Sequence, residues 1–162
     1  MLETEVAVNR FLIGYAKMLV AELDDTRLSE QPMPGVNHPA WILGHLTFVA
    51  HRAMALINDG DVALPESWKA SFSPGSKLTA NRADYPTKAE LLQAFEEGHQ
   101  ALHRTIESAT PEQLTKPSTH PRSKAMLPQV KDLLAFLLTG HMGVHLGQLT
   151  TWRRMIGLPA LF

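Results

Sequence analysis

Cysteine is absent from this chain of 162 residues. Its absence excludes disulfide bonds, cysteine-ligated zinc and a cysteine nucleophile. An excess of one charge sign is also absent, because 15 Lys and Arg offset 16 Asp and Glu to a formal net charge of −1. The sequence therefore lacks the basic balance typical of proteins that bind nucleic acids or anionic membranes.

The first ten residues, MLETEVAVNR, hold early acidic residues and no basic segment before an apolar one. This start predicts no signal peptide, and no apolar run is expected to span a membrane. We therefore expect a cytoplasmic protein with neither a membrane nor a nucleic acid as partner. With 44% hydrophobic and 19% charged residues, residues 1–162 are expected to form one domain with its own core.

Apolar residues recur at helical spacing in four segments, and no segment alternates as a strand would. Proline at position 39 suits a first helical turn, and Thr87 with Glu90 forms a capping box. These patterns predict an all-α fold with helices near 2–24, 39–58, 88–108 and 129–156. The long connection over 60–86 holds Trp68 and Phe72, which either pin it to the helices or wall a substrate pocket.

Two histidines, His141 and His145, lie four residues apart in a segment that otherwise reads as a buried helix. At ~1.5 Å of rise per residue they stand ~6 Å apart along one face. On a uniform helix, Val144 and Trp152 share that buried arc. Such a pair can share one metal ion, whereas the alternative is two hydrogen-bonded histidines of the core.

A third histidine, His45, lies at the centre of the apolar face of the second helix. Helical bundles build metal sites from side chains of facing helices, and three neutral imidazoles leave coordination positions open, as catalytic sites do. Imidazole suits Zn²⁺, Ni²⁺, Cu²⁺ and Fe²⁺ alike. Gln148, one turn beyond His145, either orients a ligand or binds a metal-bound water, or is a surface amide.

Four residues of the second helix are candidates for a pocket around these histidines. Trp41 and Phe48 share the face of His45, and His38 lies about two turns earlier, where it could line the mouth. Arg52 returns to the same face seven residues after His45, although its side chain could instead extend to solvent at the helix end.

The third helix carries a second pair of histidines at the same spacing, His99 and His103. We expect neither to bind metal, because His103 falls at the polar border of that helix. His51 is expected to face solvent. The first pair also departs from the zinc-protease motif, because Met142 stands where the general-base glutamate would be.

Two motifs together resemble the DinB/YfiT-like superfamily of metalloenzymes. One is N-H-P-A-W-I-L-G-H-L at 37–46, and the other is G-H-M-G-V-H-L-G-Q-L at 140–149, followed by Arg153, Arg154 and Gly157. The resemblance implies an up-down-down-up four-helix bundle with a long loop between the second and third helices. It also implies a divalent metal ion, zinc or nickel, held by His45, His141 and His145.

The same resemblance implies an activity and an assembly. Family members are often dimers; some are S-transferases that use low-molecular-weight thiols such as mycothiol, bacillithiol or glutathione, and one branch isomerises maleylpyruvate. We therefore expect a homodimer, with Trp68 and Phe72 as interface anchors.

The leading functional hypothesis is an enzyme whose metal ion activates a small thiol, which attacks a small-molecule substrate held near Trp41, Phe48 and Arg52. One alternative is a hydrolase that uses metal-bound hydroxide. The other is a non-enzymatic metal-binding or sensing bundle. An open coordination position reached by a pocket favours an enzyme, whereas a closed site with four ligands favours the sensing bundle.

Overall fold

The computed structural model of the chain describes residues 1–121 and 123–161. In these ranges every regular element is helical, and an isolated bridge between Pro117 and Gln129 is the nearest approach to a strand. The predicted all-α class is therefore confirmed. The helices are α1 Glu3–Val20, α2 Pro39–Asn58, α3 Glu66–Phe72, α4 Lys88–Ser108, α5 Pro111–Thr115, α6 Val130–Phe136 and α7 Met142–Met155, and the π-helical segment Leu137–His141 joins α6 to α7.

Helices α2 and α4 begin and end where the sequence predicts, and local capping explains why. The Thr87 hydroxyl accepts from the Glu90 backbone N–H while the Glu90 carboxylate accepts from the Thr87 backbone N–H, which closes the predicted capping box at the start of α4. Helix α1 ends at Val20, four residues earlier than expected. The Lys88 ammonium then donates to two carbonyls beyond that end and stabilises the turn.

The four long helical stretches are arranged up, down, down and up, as the family resemblance implies. Two contacts for each pair of helices show these directions. Helix α1 runs parallel to α6–α7 and antiparallel to α4, while α2 runs antiparallel to α6–α7. The contacts are Asn9 with Leu138 and Tyr15 with Thr150, then Lys17 with Glu96 and Arg10 with Glu107, and finally Trp41 with His145 and His45 with His141.

Helix α2 is the central helix of the bundle, and 14 of its 20 residues are buried. Contrary to the sequence expectation, its length and its mean hydropathy of 1.3 would suffice to cross a membrane. Within its most apolar window, however, 78% of the residues are buried inside the protein. This burial is typical of a core helix, whose apolar residues contact neighbouring helices on nearly every side.

The π-helical segment between α6 and α7 changes which residues face inward. A π turn holds one residue more than an α turn, so the residues after it are rotated by roughly 100° relative to a uniform α-helix. Val144, expected on the buried arc, is 58% exposed, whereas Trp152 is fully buried as expected. The prediction for Val144 is therefore wrong because it assumed one helical period throughout.

The long connection between α2 and α4 contains the short helix α3, which the sequence analysis did not predict. Phe72 at its end is 1% exposed, and its ring lies directly against the backbone of Gly44 on α2. Trp68 packs on Phe72 with ring centroids 5.1 Å apart. These residues therefore pin the connection to the bundle, and Phe72 presents no surface to a partner, so its prediction as an interface anchor is wrong.

Candidate metal centre

The structure brings the three predicted histidines together. His45 lies on α2, His141 at the end of the π-helical segment and His145 on α7, and their ligand nitrogens are all within 4.8 Å of one another. Nitrogens around one tetrahedral zinc ion are ~3.3 Å apart for bonds of ~2.0–2.1 Å, so small side-chain rotations would close the site. In the part of the chain that the structure describes, no other group of three or more potential ligands is placed to hold an ion.

His45 is held by two contacts that fix its ring. Its Nδ1 lies 2.8 Å from the Phe72 carbonyl oxygen, which only accepts, so Nδ1 carries the proton and Nε2 keeps a free lone pair. The indole of Trp41 stacks on the same ring, with centroids 4.5 Å apart and planes 8° apart. Trp41 is itself fixed, because its Nε1–H donates to Ser76 Oγ at 2.8 Å. The α3 connection thus orients the α2 histidine.

His145 is oriented by Gln148, as the sequence suggested. Its Nδ1 donates to Gln148 Oε1 at 3.0 Å, which leaves Nε2 free. The same oxygen accepts from the Asn37 side-chain amide at 3.0 Å, so the Gln148 amide has a defined orientation although the residue is exposed. The sequence analysis did not predict that Asn37 helps to orient Gln148. Its position as the first residue of the motif at 37–46 could have indicated a role near the site.

His141 has a buried Nδ1 with no hydrogen-bond partner. Burial lowers the pKa of its imidazole to about 3, and the neighbouring His145 and His45 add to the effect. Burial likewise lowers the pKa of His145 to about 4 and holds the pKa of His45 below its usual value. All three rings are therefore neutral near pH 7, which is the form that binds metals, and an ion would relieve the cost of the orphaned nitrogen.

A cavity of about 590 Å³ opens beside His45 and His141. Its walls come from α2, the turn after α3, residues 120, 121 and 123, α6 and the π-helical segment, and they include Phe48 and Arg52 as predicted. Trp41 does not line it and instead lies behind His45. His120 also contributes to the wall, which the sequence analysis missed because no local pattern reveals how a loop folds back over a helix.

His38 is not at the mouth of this cavity, which corrects the sequence prediction. It is fully buried and caps α2, because its Nδ1 accepts from the Trp41 backbone N–H at 3.2 Å. Its Nε2 hydrogen-bonds the Thr79 carbonyl at 3.1 Å and the Tyr85 hydroxyl at 3.2 Å, and burial lowers its pKa to about 4. His38 therefore ties the connection to the start of α2.

The second histidine pair takes part in a buried hydrogen-bond network outside the cluster. His99 Nδ1 and His103 Nε2 both donate to Asn9 Oδ1, at 3.1 and 2.8 Å, and Asn9 Nδ2 donates to the Leu138 carbonyl at 2.7 Å. His103 is 5% exposed, so its predicted place at the polar border is wrong. His51 is half-buried with an unpartnered Nδ1, contrary to its expected exposure, because α4 approaches it closely at Gly98.

Comparisons with known proteins agree with this fold and these motifs. The structure of YfiT from Bacillus subtilis, described as a probable metal-dependent hydrolase with an unusual four-helix bundle topology, matches with a TM-score of 0.66 and 16% sequence identity. The match covers 97% of this chain and 88% of YfiT. No curated protein matches the chain significantly in sequence. A model of the DinB superfamily matches residues 14–149, and the chain belongs to that superfamily.

Proposed function

We propose that the chain is a metal-dependent enzyme whose divalent ion, zinc or nickel, is held by His45, His141 and His145. The observation that carries the proposal is the convergence of three neutral imidazoles beside a cavity of about 590 Å³. Their nitrogens come from α2 and from both sides of the junction between the π-helical segment and α7, so only the folded bundle assembles them.

The hydrogen bonds around the cluster support its role as a ligand set. Metal-binding histidines generally donate their second ring nitrogen to a carbonyl or amide oxygen, which fixes the ring and raises its basicity. His45 does so to the Phe72 carbonyl and His145 to the Gln148 amide. A pair of hydrogen-bonded core histidines would instead use both nitrogens, and the buried Nδ1 of His141 has no partner.

The number of ligands supports an enzyme over a closed metal-binding or sensing bundle. Structural zinc sites have four protein ligands, whereas catalytic sites keep one position for water or substrate. Among the described residues, the group contains three potential ligands and no fourth. Two of the three, His45 and His141, also line the cavity, through which a small molecule can reach them.

The reaction we favour is transfer to a low-molecular-weight thiol. A bound divalent ion would lower the pKa of a coordinated thiol and so supply a thiolate nucleophile, which this cysteine-free chain cannot provide itself. The protein would orient the metal ligands and provide an apolar surface for the reactants. The Phe72 carbonyl and the Trp41 indole orient His45, while Phe48 forms part of the apolar wall. Apolar side chains such as Phe48 would disfavour water that competes with the thiol.

The alternative is a metal-dependent hydrolase, which the description of YfiT favours. Hydrolysis at a metal site commonly uses a carboxylate as general base, as the zinc-protease motif does. Among the described residues that line the cavity, none is Asp or Glu. Thiol transfer needs no such base once the thiol is deprotonated, and this difference ranks it first.

Metal content tests the ligand assignment. Protein purified without a polyhistidine tag is expected to carry one divalent ion per chain by elemental analysis, and His45→Ala is expected to lose it while keeping its helical circular dichroism. His120→Ala is the matched control, because His120 lines the same cavity but stands outside the cluster. Full occupancy in His45→Ala would refute the assignment.

Activity tests the reaction. Metal-loaded protein is incubated with bacillithiol, mycothiol or glutathione and a set of electrophiles, and in parallel with activated esters and amides without thiol. Thiol-dependent consumption of an electrophile that His45→Ala lacks would support the transferase. Metal-dependent hydrolysis without thiol would favour the alternative, and a metal-loaded protein inert in both assays would support a binding or sensing bundle.

A further inference from the structure

Arg52 shares the cavity with the histidine cluster but takes no part in it. It stands seven residues after His45 on α2, which separates the two positions by ~10 Å along the helix axis. The side chain is half-buried and forms no hydrogen bond or ion pair with any residue in 1–121 or 123–161. Arg52 lies on the same face of α2 as His45, as predicted, and its unpaired guanidinium forms part of the cavity wall.

The other arginines in the described ranges behave differently. Two, Arg104 and Arg154, are exposed to water. The rest have carboxylate partners: Arg10 with Glu107, Arg27 with Glu30, Arg82 with Asp25 and Arg153 with Glu22. Within that part of the chain, Arg52 is therefore the one partly buried guanidinium without a counter-charge. Partial burial of an unpaired charge costs free energy, so a site that retains one is suited to an anionic ligand.

The composition of the cavity wall narrows the ligand class. Of the wall residues that the structure describes, none is acidic, and the apolar ones include Phe48, Leu133 and Phe136. Besides Arg52, the titratable side chains among these described wall residues are the histidines His45, His120 and His141. A guanidinium presents paired N–H donors in a planar fork that matches a carboxylate. The wall therefore suits a molecule with an apolar body and a carboxylate at one end.

We propose that Arg52 binds the carboxylate of the substrate and so fixes which end of it faces His45 and His141. The substrate class is a small carboxylic acid whose reacting group lies several bonds from the acid. This inference rests on the proposed function for the direction of the reacting group. Binding of the acid itself needs only Arg52 and the cavity wall, and so can be measured without metal.

Calorimetric titration with phenylbutyrate and with its neutral amide tests the proposal on the full-length protein, both chelator-treated and metal-loaded. The acid is expected to bind the wild-type protein saturably and at least about tenfold more tightly than the amide. Arg52→Gln is expected to lose that tenfold preference, and Arg52→Lys to keep part of it. Arg104→Gln removes an exposed arginine on α4 and is expected to bind as the wild type does.

The outcomes separate this inference from the metal proposal. His45→Ala should lose metal yet keep the preference for the acid over the amide. Equal binding of acid and amide, no saturable binding of the acid, or an unchanged preference in Arg52→Gln would each overturn the carboxylate site. Wild-type protein that prefers the acid but carries no divalent ion as purified, and takes up none on titration, would overturn the metal proposal alone. Thermal unfolding of each variant verifies that it is folded at the assay temperature.

Discussion

Replacing Gly44 with alanine would place a methyl group inside the space that the Phe72 ring occupies. The added Cβ would lie within 2.5 Å of three carbons of that ring. Carbon atoms in contact are ~3.5–4.0 Å apart, so the ring would have to move by roughly 1 Å or more. Because Phe72 is 1% exposed, the ring has no free space to enter, and the end of α3 would move with it.

Two costs follow from that movement. Overpacking of a filled core costs about 1–3 kcal/mol. Displacing the Phe72 carbonyl from His45 Nδ1 would leave a buried N–H unpaired, at about 1–3 kcal/mol more. We therefore expect Gly44→Ala to lower the free energy of unfolding by roughly 2–6 kcal/mol and Tm by about 4–24 °C. Metal affinity should fall about 10–100-fold, as it does when the partner of a ligating histidine is lost.

Thermal unfolding followed by circular dichroism, together with metal titration, measures both effects. Gly143→Ala is the matched control, because nothing lies within 4 Å of its added Cβ, and it should stabilise α7 by about 0.5–1 kcal/mol. Adding Phe72→Leu to Gly44→Ala should restore part of the stability by shortening the clashing side chain. A Gly44→Ala protein with wild-type Tm and metal affinity would refute the reasoning.

Three further predictions concern the cluster and the surface. Burial lowers the pKa of His141 to about 3 and of His145 to about 4 in the folded protein, whereas both histidines have the ordinary pKa of ~6.5 in the unfolded chain. Below pH ~6.5 the unfolded chain therefore binds more protons than the folded protein. Metal-free protein should therefore lose stability as pH falls from about 6.5 to about 4, and a flat denaturation profile would contradict this. Gln148→Ala should weaken metal binding about tenfold or more in a competition titration, whereas unchanged affinity would remove it as an orienting residue. We also predict a homodimer that buries the exposed side chains Phe11 and Met18 of α1, so Phe11→Ser should shift sedimentation toward the monomer. A wild-type protein that sediments as a monomer would rule the dimer out.

Local signals made much of the fold predictable. The capping box at Thr87 and the proline at position 39 specify where α4 and α2 begin, because each satisfies or removes the free N–H groups of a first helical turn. The convergence of His45 with His141 and His145 also follows from sequence, since each lies on an apolar stripe that must face a neighbouring helix. Position on a stripe is a local property, and local properties can be read from one chain.

The remaining errors come from interactions that no local pattern encodes. Val144 is exposed because the π-helical segment changes the period of the helix, and its extra residue leaves no mark in the composition. Helix α3 is seven residues long, and Phe72 is buried only because Gly44 leaves room for its ring. His38 was wrongly assigned to the pocket because the residues that hold it, Thr79 and Tyr85, are 41 and 47 positions away in the sequence. A local pattern does not reveal contacts at that separation.

The buried network around Asn9 has a consequence for the uniqueness of the fold. Four amphipathic helices with wholly apolar inner faces could pack in several registers of similar free energy. Here Asn9 on α1 must meet His99 and His103 on α4 and the Leu138 carbonyl at the same time. Sliding α1 by one turn would leave all of these buried polar groups unpaired. The network thus selects one alignment of α1 with α4 and with the π-helical segment that ends in the metal-site candidate His141.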